Sequence, residues 1–513
     1  MPAASVRRRG VGSLERRGTQ IPIADAIGLP EDLASPNRGY TRRMELSPEA
    51  LRLAVIVAAV IVLWFTEALP LAVTALLGAV ACVVAGVAPA KEVFRPFADP
   101  LIFLFIGSFL LAEAIRQHRL DRRLAYAVLA LPAVGERPVG ILAAVVAVSV
   151  LISAFISNTV TAAMMMAIVT GILAAIEEAA TVSGIRPAAR FATGLFLSIA
   201  FAASIGGLAT PIGTPTNLIG LGFIRNQLGT SISFPGWCAI SLPVVAILAT
   251  ILVVVLSRLF PAGIERLEGV QEFVREERAR LGRWTTGQKS TMLAFGATVA
   301  MWVVPGVLLV TLGADHPASL WLRDRLPEGV AALIGAILLF LLPGDRGADG
   351  RVPRAMVWSH ARIDWDIVLL YGGGLALGEL CFSTGLAAAA GRQITGWIPQ
   401  GPAAASALVA VAALVAVVTS EFTSNVASAT MVVPIVIAMG QAVGVEPVAA
   451  AVAATMAASL GFMMPVSSPC NAIVYGSGRI PLRAMMLAGV VLDVVGWGVI
   501  TAALLAAGPL LGR

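Results

Sequence analysis

Two stretches of this chain, SAFISNTVTAAMMMAIV at 153–169 and SEFTSNVASATMVVPIV at 420–436, set the same small polar cluster into apolar surroundings. A second pair follows, TPIGTPTNLIG at 210–220 and MPVSSPCNAIVYG at 464–476. Hydrocarbon offers no water to a freed N–H or C=O, so irregular backbone at membrane depth is tolerated only where protein or a watery cavity satisfies it. A chain that repeats two such breaks in the same order must pack them so that each covers the other. That layout, two broken-helix half-sites across an internal repeat, is the layout of secondary transporters.

Composition supports a membrane setting. Of 513 residues, 58% are hydrophobic and only 13% charged, against about 25% charged in soluble domains. A spanning helix needs about 20 mostly apolar residues. The segments are long enough for helices and lack the ten-residue alternation of a β-barrel. The expected fold class is therefore an all-α polytopic membrane protein: an inverted-topology repeat with about ten transmembrane helices, two re-entrant hairpins and broken helices. No apolar h-region of a cleavable signal peptide occurs in 1–48. The formal charge of +6 does not point to nucleic acid, because the arginines lie mostly between apolar segments and serve topology. The four cysteines have neither metal nor disulfide spacing, and no cofactor is expected.

Four regions follow: a polar basic arm at 1–48, a first repeat at 49–260, a charged linker at 261–290 and a second repeat at 291–513. Spanning segments are expected near 51–66, 70–88, 101–116, 191–224 and 233–260, and again near 292–312, 328–343, 365–382, 447–478 and 483–510. Leu69-Pro70 answers Leu326-Pro327, and FIGSFLLAE ending at Glu113 answers YGGGLALGE ending at Glu379. Five crossings per half force the second copy to insert upside down. The hairpins are expected at 139–183 and 402–440, with arms too short for two full crossings. A cytoplasmic linker also places Arg116, Arg119, Arg190, Arg354, Arg362 and Arg479 inside. The same count puts the arm outside, although it carries eight arginines from Arg7 to Arg43.

Ser153, Ser157, Asn158 and Thr159 crowd the first hairpin tip, and Ser420, Thr423, Ser424 and Asn425 the second. Their oxygens, with carbonyls freed at a helix break, are hard ligands suited to a small alkali cation. Helix N-termini at the same tips offer N–H groups to an anion. One site can thus hold cation and anion together.

On TEALPLAVTALL at 66–77, SNT at 157–159, SNV at 424–426, GTPTN at 213–217 and MPVSSPCNAIVYGSG at 464–478, the chain resembles the divalent anion/sodium symporter family of dicarboxylate, citrate and sulfate carriers. The resemblance implies one sodium site from Ser153, Ser157, Asn158 and a carbonyl near Ala209, and a second from Ser420, Thr423, Asn425 and a carbonyl near Met463. It implies substrate contacts from Ser157, Asn158, Thr159, Thr214, Ser424, Asn425, Val426 and Pro465. It also implies a homodimer, and a location in the inner membrane of a bacterium. Val426 stands where the family's repeated motif often has Thr, and Met463 and Met464 bring bulk beside the second ion site. The family commonly has one more hydrophobic helix before the core, where this chain is polar, which matches the conflict over the arm.

Glu67, Glu113, Glu379, Glu421 and Asp493 are ionisable residues inside apolar segments and functional candidates. For the first three the simpler reading is a bond that fixes the scaffold, whereas Glu421 is near enough to Asn425 to tune the second site. His118, His316 and His360 fall at segment ends, so no histidine relay is expected. The expected function is sodium-coupled symport of a small divalent anion, most simply a C4-dicarboxylate such as succinate or malate. Citrate or sulfate transport and sodium-independent exchange are the nearest alternatives. An intramembrane enzyme is the distant one, and no nucleophile–base pair or HExxH motif supports it.

Overall fold

The computed structural model describes residues 46–511 except 185–186, 314–315, 348–349, 395–398, 400 and 402. Nearly all of the 1–48 arm lies outside these residues.

The first half contains α1 (Pro48–Thr66), α2 (Leu71–Val84), α3 (Ala90–Phe94), α4 (Pro100–Gln117), α5 (Leu120–Leu129), α6 (Pro138–Ser153), α7 (Asn158–Ser183), α8 (Ala189–Gly207), α9 (Pro215–Leu228) and α10 (Phe234–Leu259). Helix α11 (Val270–Arg280) lies in the linker. The second half contains α12 (Thr286–Leu312), α13 (Pro317–Arg325), α14 (Glu328–Leu341), α15 (Trp365–Ser383), α16 (Leu386–Ile394), α17 (Ala404–Phe422), α18 (Asn425–Val443), α19 (Val448–Ala457), α20 (Pro469–Tyr475) and α21 (Leu482–Leu511). No strand occurs among the described residues, where one isolated bridge joins Pro343 to Arg354.

Local chemistry sets the helix starts. Ser47 Oγ accepts from Ala50 N–H at 3.1 Å with Pro48 in the first turn, and Asp99 Oδ1 accepts from Leu101 N–H at 2.8 Å ahead of Pro100. Thr285 and Gln288 cap α12 reciprocally, at 3.2 and 3.3 Å. A side chain that accepts an orphan N–H while proline fixes φ is the usual way to begin a helix where water is scarce.

Among the described residues, ten helices are long and apolar enough to cross a membrane, matching the expected number with a different membership. Helices α2 and α14 have 14 residues each, about 21 Å at 1.5 Å per residue. The arms α7, α17 and α18 have 26, 19 and 19 residues and do qualify. The expectation of short hairpin arms is therefore corrected for these three, whereas α6, with 16 residues, is short as expected. Glu177 and Glu178 near the end of α7 lower its hydropathy without ending the helix. The segments expected at 191–224 and 447–478 are each split, into α8 and α9 and into α19 and α20, with breaks at 208–214 and 458–468.

Helix α8 sits at the centre, 83% buried, whereas α12 is 17% buried and presents Leu293, Val303 and Val307 outward. Helix α11 docks by Val270 and Val274, and its Phe273 ring lies 6.5 Å from that of Tyr126 on α5. The two halves exchange partners. A Cβ on Gly107 of α4 would fall 2.6 Å from Ala332 of α14, and one on Gly373 of α15 would fall 2.7 Å from Ala75 of α2. Gly107 stands to Gly373 as Glu113 stands to Glu379, and Ala75 to Ala332 as Pro70 to Pro327. Each half thus closes its glycine face on the other's small helix.

At the end rich in arginine, His118 Nε2 lies 2.8 Å from Ala355 O and its Nδ1 3.5 Å from Asp345. Burial opposes ionisation of Asp345, but the Gly287 N–H, the Thr285 hydroxyl and His118 outweigh it and hold its carboxyl below the usual range.

Candidate substrate and ion site

Both hairpin tips are built on one plan. Ser153, the last residue of α6, places Oγ 2.7 Å from the carboxamide of Asn158, the first residue of α7. Ser420 places Oγ 2.8 Å from Asn425 Oδ1 at the same spacing of five residues. Each tip then receives the broken strut of its own half. Asn217 Nδ2 donates to Gly207 O and Thr210 O, both at 2.9 Å, across ten and seven residues. Asn471 Nδ2 donates to Gly461 O and Met464 O at 2.9 and 3.0 Å across the same ten and seven residues. The asparagine of each Pro-x-Asn motif therefore bonds the carbonyls that a helix break has freed, which is what hydrocarbon demands of irregular backbone. Proline cannot continue the ladder and starts the next helix instead.

Oxygen atoms converge at the tips. The Asn158 carboxamide lies against Ser153 Oγ at 2.7 Å, Ala203 O at 3.2 Å and Gly213 O at 3.3 Å, and donates to them with its nitrogen on that side. Thr210 Oγ1 donates to Ala154 O at the same turn. Ser420 Oγ has one proton but two acceptors in reach, Asn425 Oδ1 and Ala458 O at 2.7 Å. Asn217 Oδ1, Asn471 Oδ1 and Thr423 Oγ1 are buried and accept from no donor among the described residues. Neutral, acceptor-rich and starved of donors, these oxygens fit a small hard cation.

The remaining expected residues separate. Thr214 is buried at the N-cap of α9, 3.4 Å from Thr216 Oγ1, and Pro465 is half-buried in the second break. Ser424 caps α18 by accepting from Ala427 N–H at 3.2 Å, whereas Ser157 makes no such cap and is exposed at its tip. Thr159 is half-buried one residue past Asn158. Val426 is half-buried and packs against apolar clusters on two sides. Ala209 O is engaged by Ser241 Oγ at 2.9 Å, so the carbonyls facing Asn158 are those of Ala203 and Gly213. Met463 and Met464 offer backbone N–H groups to Glu421, at 2.9 and 3.1 Å.

A cavity of about 360 Å³ reaches the first tip at Ser157, Gly213 and Pro215 and is also lined by Glu113, Arg116 and Arg362. Its other walls come from α4 and α15, so it lies between the tip and the helices that exchange partners.

Glu67 is exposed in the left-handed region at φ 48°, capping α1. Glu113 pairs with Arg116 at 2.5 Å and Glu379 with Arg95 at 3.0 Å, so both are scaffold bonds. His118 follows the end of α4, His316 caps the start of α13 and His360 ends a short 3-10 turn, so all three lie at segment ends or in loops, as expected. Sequence reasoning missed Asp99, which accepts from both Arg225, at 2.5 Å, and Tyr371, at 3.1 Å. It also missed the organising role of Asn217 and Asn471, although the Pro-x-Asn motif held the signal.

A sodium-dependent dicarboxylate transporter, SdcS of Staphylococcus saprophyticus, is 31% identical over 433 residues, covering 83% of this chain and 80% of that protein. Sodium-dependent high-affinity dicarboxylate transporter 3 of Caenorhabditis elegans is 31% identical over 462 residues, covering 84% and 79%. Among solved structures, the YdaH transporter of Alcanivorax borkumensis has the same fold at 14% identity and TM-score 0.52, over 82% of this chain and 87% of that one. The efflux pump MtrF of Neisseria gonorrhoeae matches at 13% identity and TM-score 0.53, over 81% and 82%. The profile of the sodium:sulfate symporter transmembrane region spans residues 43–512, and this multi-pass membrane protein belongs to that family of transporters.

Proposed function

We propose that this protein is a sodium-coupled symporter of a small divalent anion, a C4-dicarboxylate such as succinate or malate. The observation that carries the reading is the duplicated tip. Two Ser/Asn pairs at one spacing are each backed by an asparagine that bonds freed carbonyls at another shared spacing. In this reading Ser153, Ser157, Asn158 and neighbouring carbonyls hold one sodium ion, and Ser420, Thr423, Asn425 and the Met463 carbonyl hold another. The anion lies between Ser157, Asn158, Thr159, Thr214, Ser424, Asn425, Val426 and Pro465, where helix N-termini add N–H groups. The similarity to transporters named for sodium and dicarboxylates supports the substrate class. The repeats at 49–260 and 291–513 are inverted relative to each other, joined by a cytoplasmic linker, and the chain works as a homodimer in a bacterial inner membrane.

Arg116 and Arg362, which the positive-inside rule makes cytoplasmic, line the cavity that reaches the first tip. The state is then inward-facing, and transport moves the tips and broken helices past the scaffold that holds α4 and α15.

Uptake of labelled succinate, citrate and sulfate into proteoliposomes tests the proposal. Succinate is expected to accumulate against its gradient only with inward sodium. Sodium-independent uptake, or preference for citrate or sulfate, would overturn the coupling or the substrate respectively.

The second tip gives a finer test. Val426 sets a methyl where a hydroxyl would reach the anion, and a hydrogen bond to a charged group contributes about 1.5–3 kcal/mol, or about tenfold or more in affinity. Val426→Thr should shift the ranking of succinate, citrate and sulfate while sodium dependence persists. Unchanged ranking and affinities would remove residue 426 from the pocket.

A further inference from the structure

We infer that Glu421 and Asp493 form a further cation site, distinct from the two sodium sites at the hairpin tips. Glu421 is 4% exposed at the end of α17, and Asp493 is 5% exposed in the middle of α21. The two carboxyls stand side by side next to the backbone of Phe462. Helix α21 faces that backbone along its length. A Cβ on Gly489 would fall 2.6 Å from Met463 N and Cα, and one on Gly496 would fall 2.6 Å from Leu460, so Asp493 between them points at the second break.

The two acids are not served alike. Glu421 accepts from Met463 and Met464 N–H, as given above. No side chain other than Glu421 reaches the buried oxygens of Asp493, and neither acid forms an ion pair among the described residues. Buried charges are paired or coordinate metals, because each uncompensated ion costs several kcal/mol to desolvate. Two carboxylates facing one another, with no cationic side chain opposite either, supply hard oxygens and the negative charge that the tips lack. The tips offer only neutral oxygens, so a cation between Glu421 and Asp493 experiences a different field and is counted separately. Sodium is the occupant that suits the setting, and it ties ion binding to the turn whose Met463 carbonyl serves the second tip.

The assignment rests on sodium coupling as proposed above, and the test keeps the two apart. Equilibrium binding of radioactive sodium to the purified full chain, without anion, counts ions per folded chain. Asp493→Asn should bind one ion fewer than the wild type, and Asn158→Ala should also lose one, from the first tip. Asp493→Ala, smaller and free of clash, carries the same expectation and serves if the asparagine variant is not monodisperse. Equal counts for wild type and both Asp493 variants, with Asn158→Ala still losing an ion, would overturn this site and leave the tips standing; a proton shared by the two acids gives that result. No saturable sodium binding by the wild type would overturn sodium coupling itself.

Discussion

Asn158→Asp and Asn425→Asp should each weaken dicarboxylate transport by more than about a hundredfold while the chain still folds. Aspartate keeps one oxygen for the cation but replaces the amide nitrogen with a negative charge beside a dianion. Two unit charges about 5 Å apart at an effective dielectric near 20 repel by about 3 kcal/mol, which is about two powers of ten in affinity. The variants should also differ. The Asn158 nitrogen donates toward Ala203 O and Gly213 O, at 3.2 and 3.3 Å, so aspartate there sets oxygen against oxygen. Asn425 Oδ1 accepts from Ser420 Oγ, and aspartate preserves that bond. Thermal unfolding in sodium-free buffer should therefore fall further for Asn158→Asp, and added sodium should recover much of it, because a cation screens the facing oxygens. Near-normal succinate uptake by either variant would remove the paired-tip reading.

The sequence made the tips legible because hydrocarbon is intolerant: a serine, an asparagine and a proline among apolar residues stand out against surroundings that must be uniform. Tips at 154–157 and 423–424 and breaks at 208–214 and 458–468 lie where the motifs place them. Arm length was not legible in the same way. Helix α7 runs on through Glu177 and Glu178, since a helix end that leaves hydrocarbon tolerates charge and hydropathy cannot tell an exit from a stop.

Long-range partners were the other blind region. Asp99, Arg225 and Tyr371 meet from three distant helices, and nothing within a dozen residues of any of them announces the others. Glu113 and Glu421 look alike in sequence, each an acid in an apolar run. The structure separates them by what lies opposite, Arg116 for one and Asp493 for the other. Glu67 is different again, because a proline three residues on had already closed α1, leaving it as an exposed cap.

Alanine at Gly207 or Gly461 should disable ion binding by two distinct routes. A Cβ on Gly207 would fall 2.6 and 3.0 Å from the two terminal atoms of the Asn158 carboxamide. Those atoms end a side chain that can rotate, so the fold survives but the carboxamide leaves the converging oxygens. Gly207→Ala should keep nearly wild-type stability and raise the sodium needed for half-maximal uptake by about tenfold or more, the loss of one charge-assisted contact. At Gly461 the Cβ would meet Ser420 O and Ser467 Cβ, both at 2.9 Å, and neither the backbone oxygen nor a buried Cβ can swing away. Gly461→Ala should therefore lose stability as well, by about 1–3 kcal/mol as overpacking does. Gly296 on α12 is the control: a Cβ there meets nothing within 4 Å, so Gly296→Ala should leave transport unchanged and stabilise the helix by about 0.5–1 kcal/mol. Normal sodium dependence in Gly207→Ala would separate Asn158 from the cation, and the strut of Asn217 would then serve the fold alone.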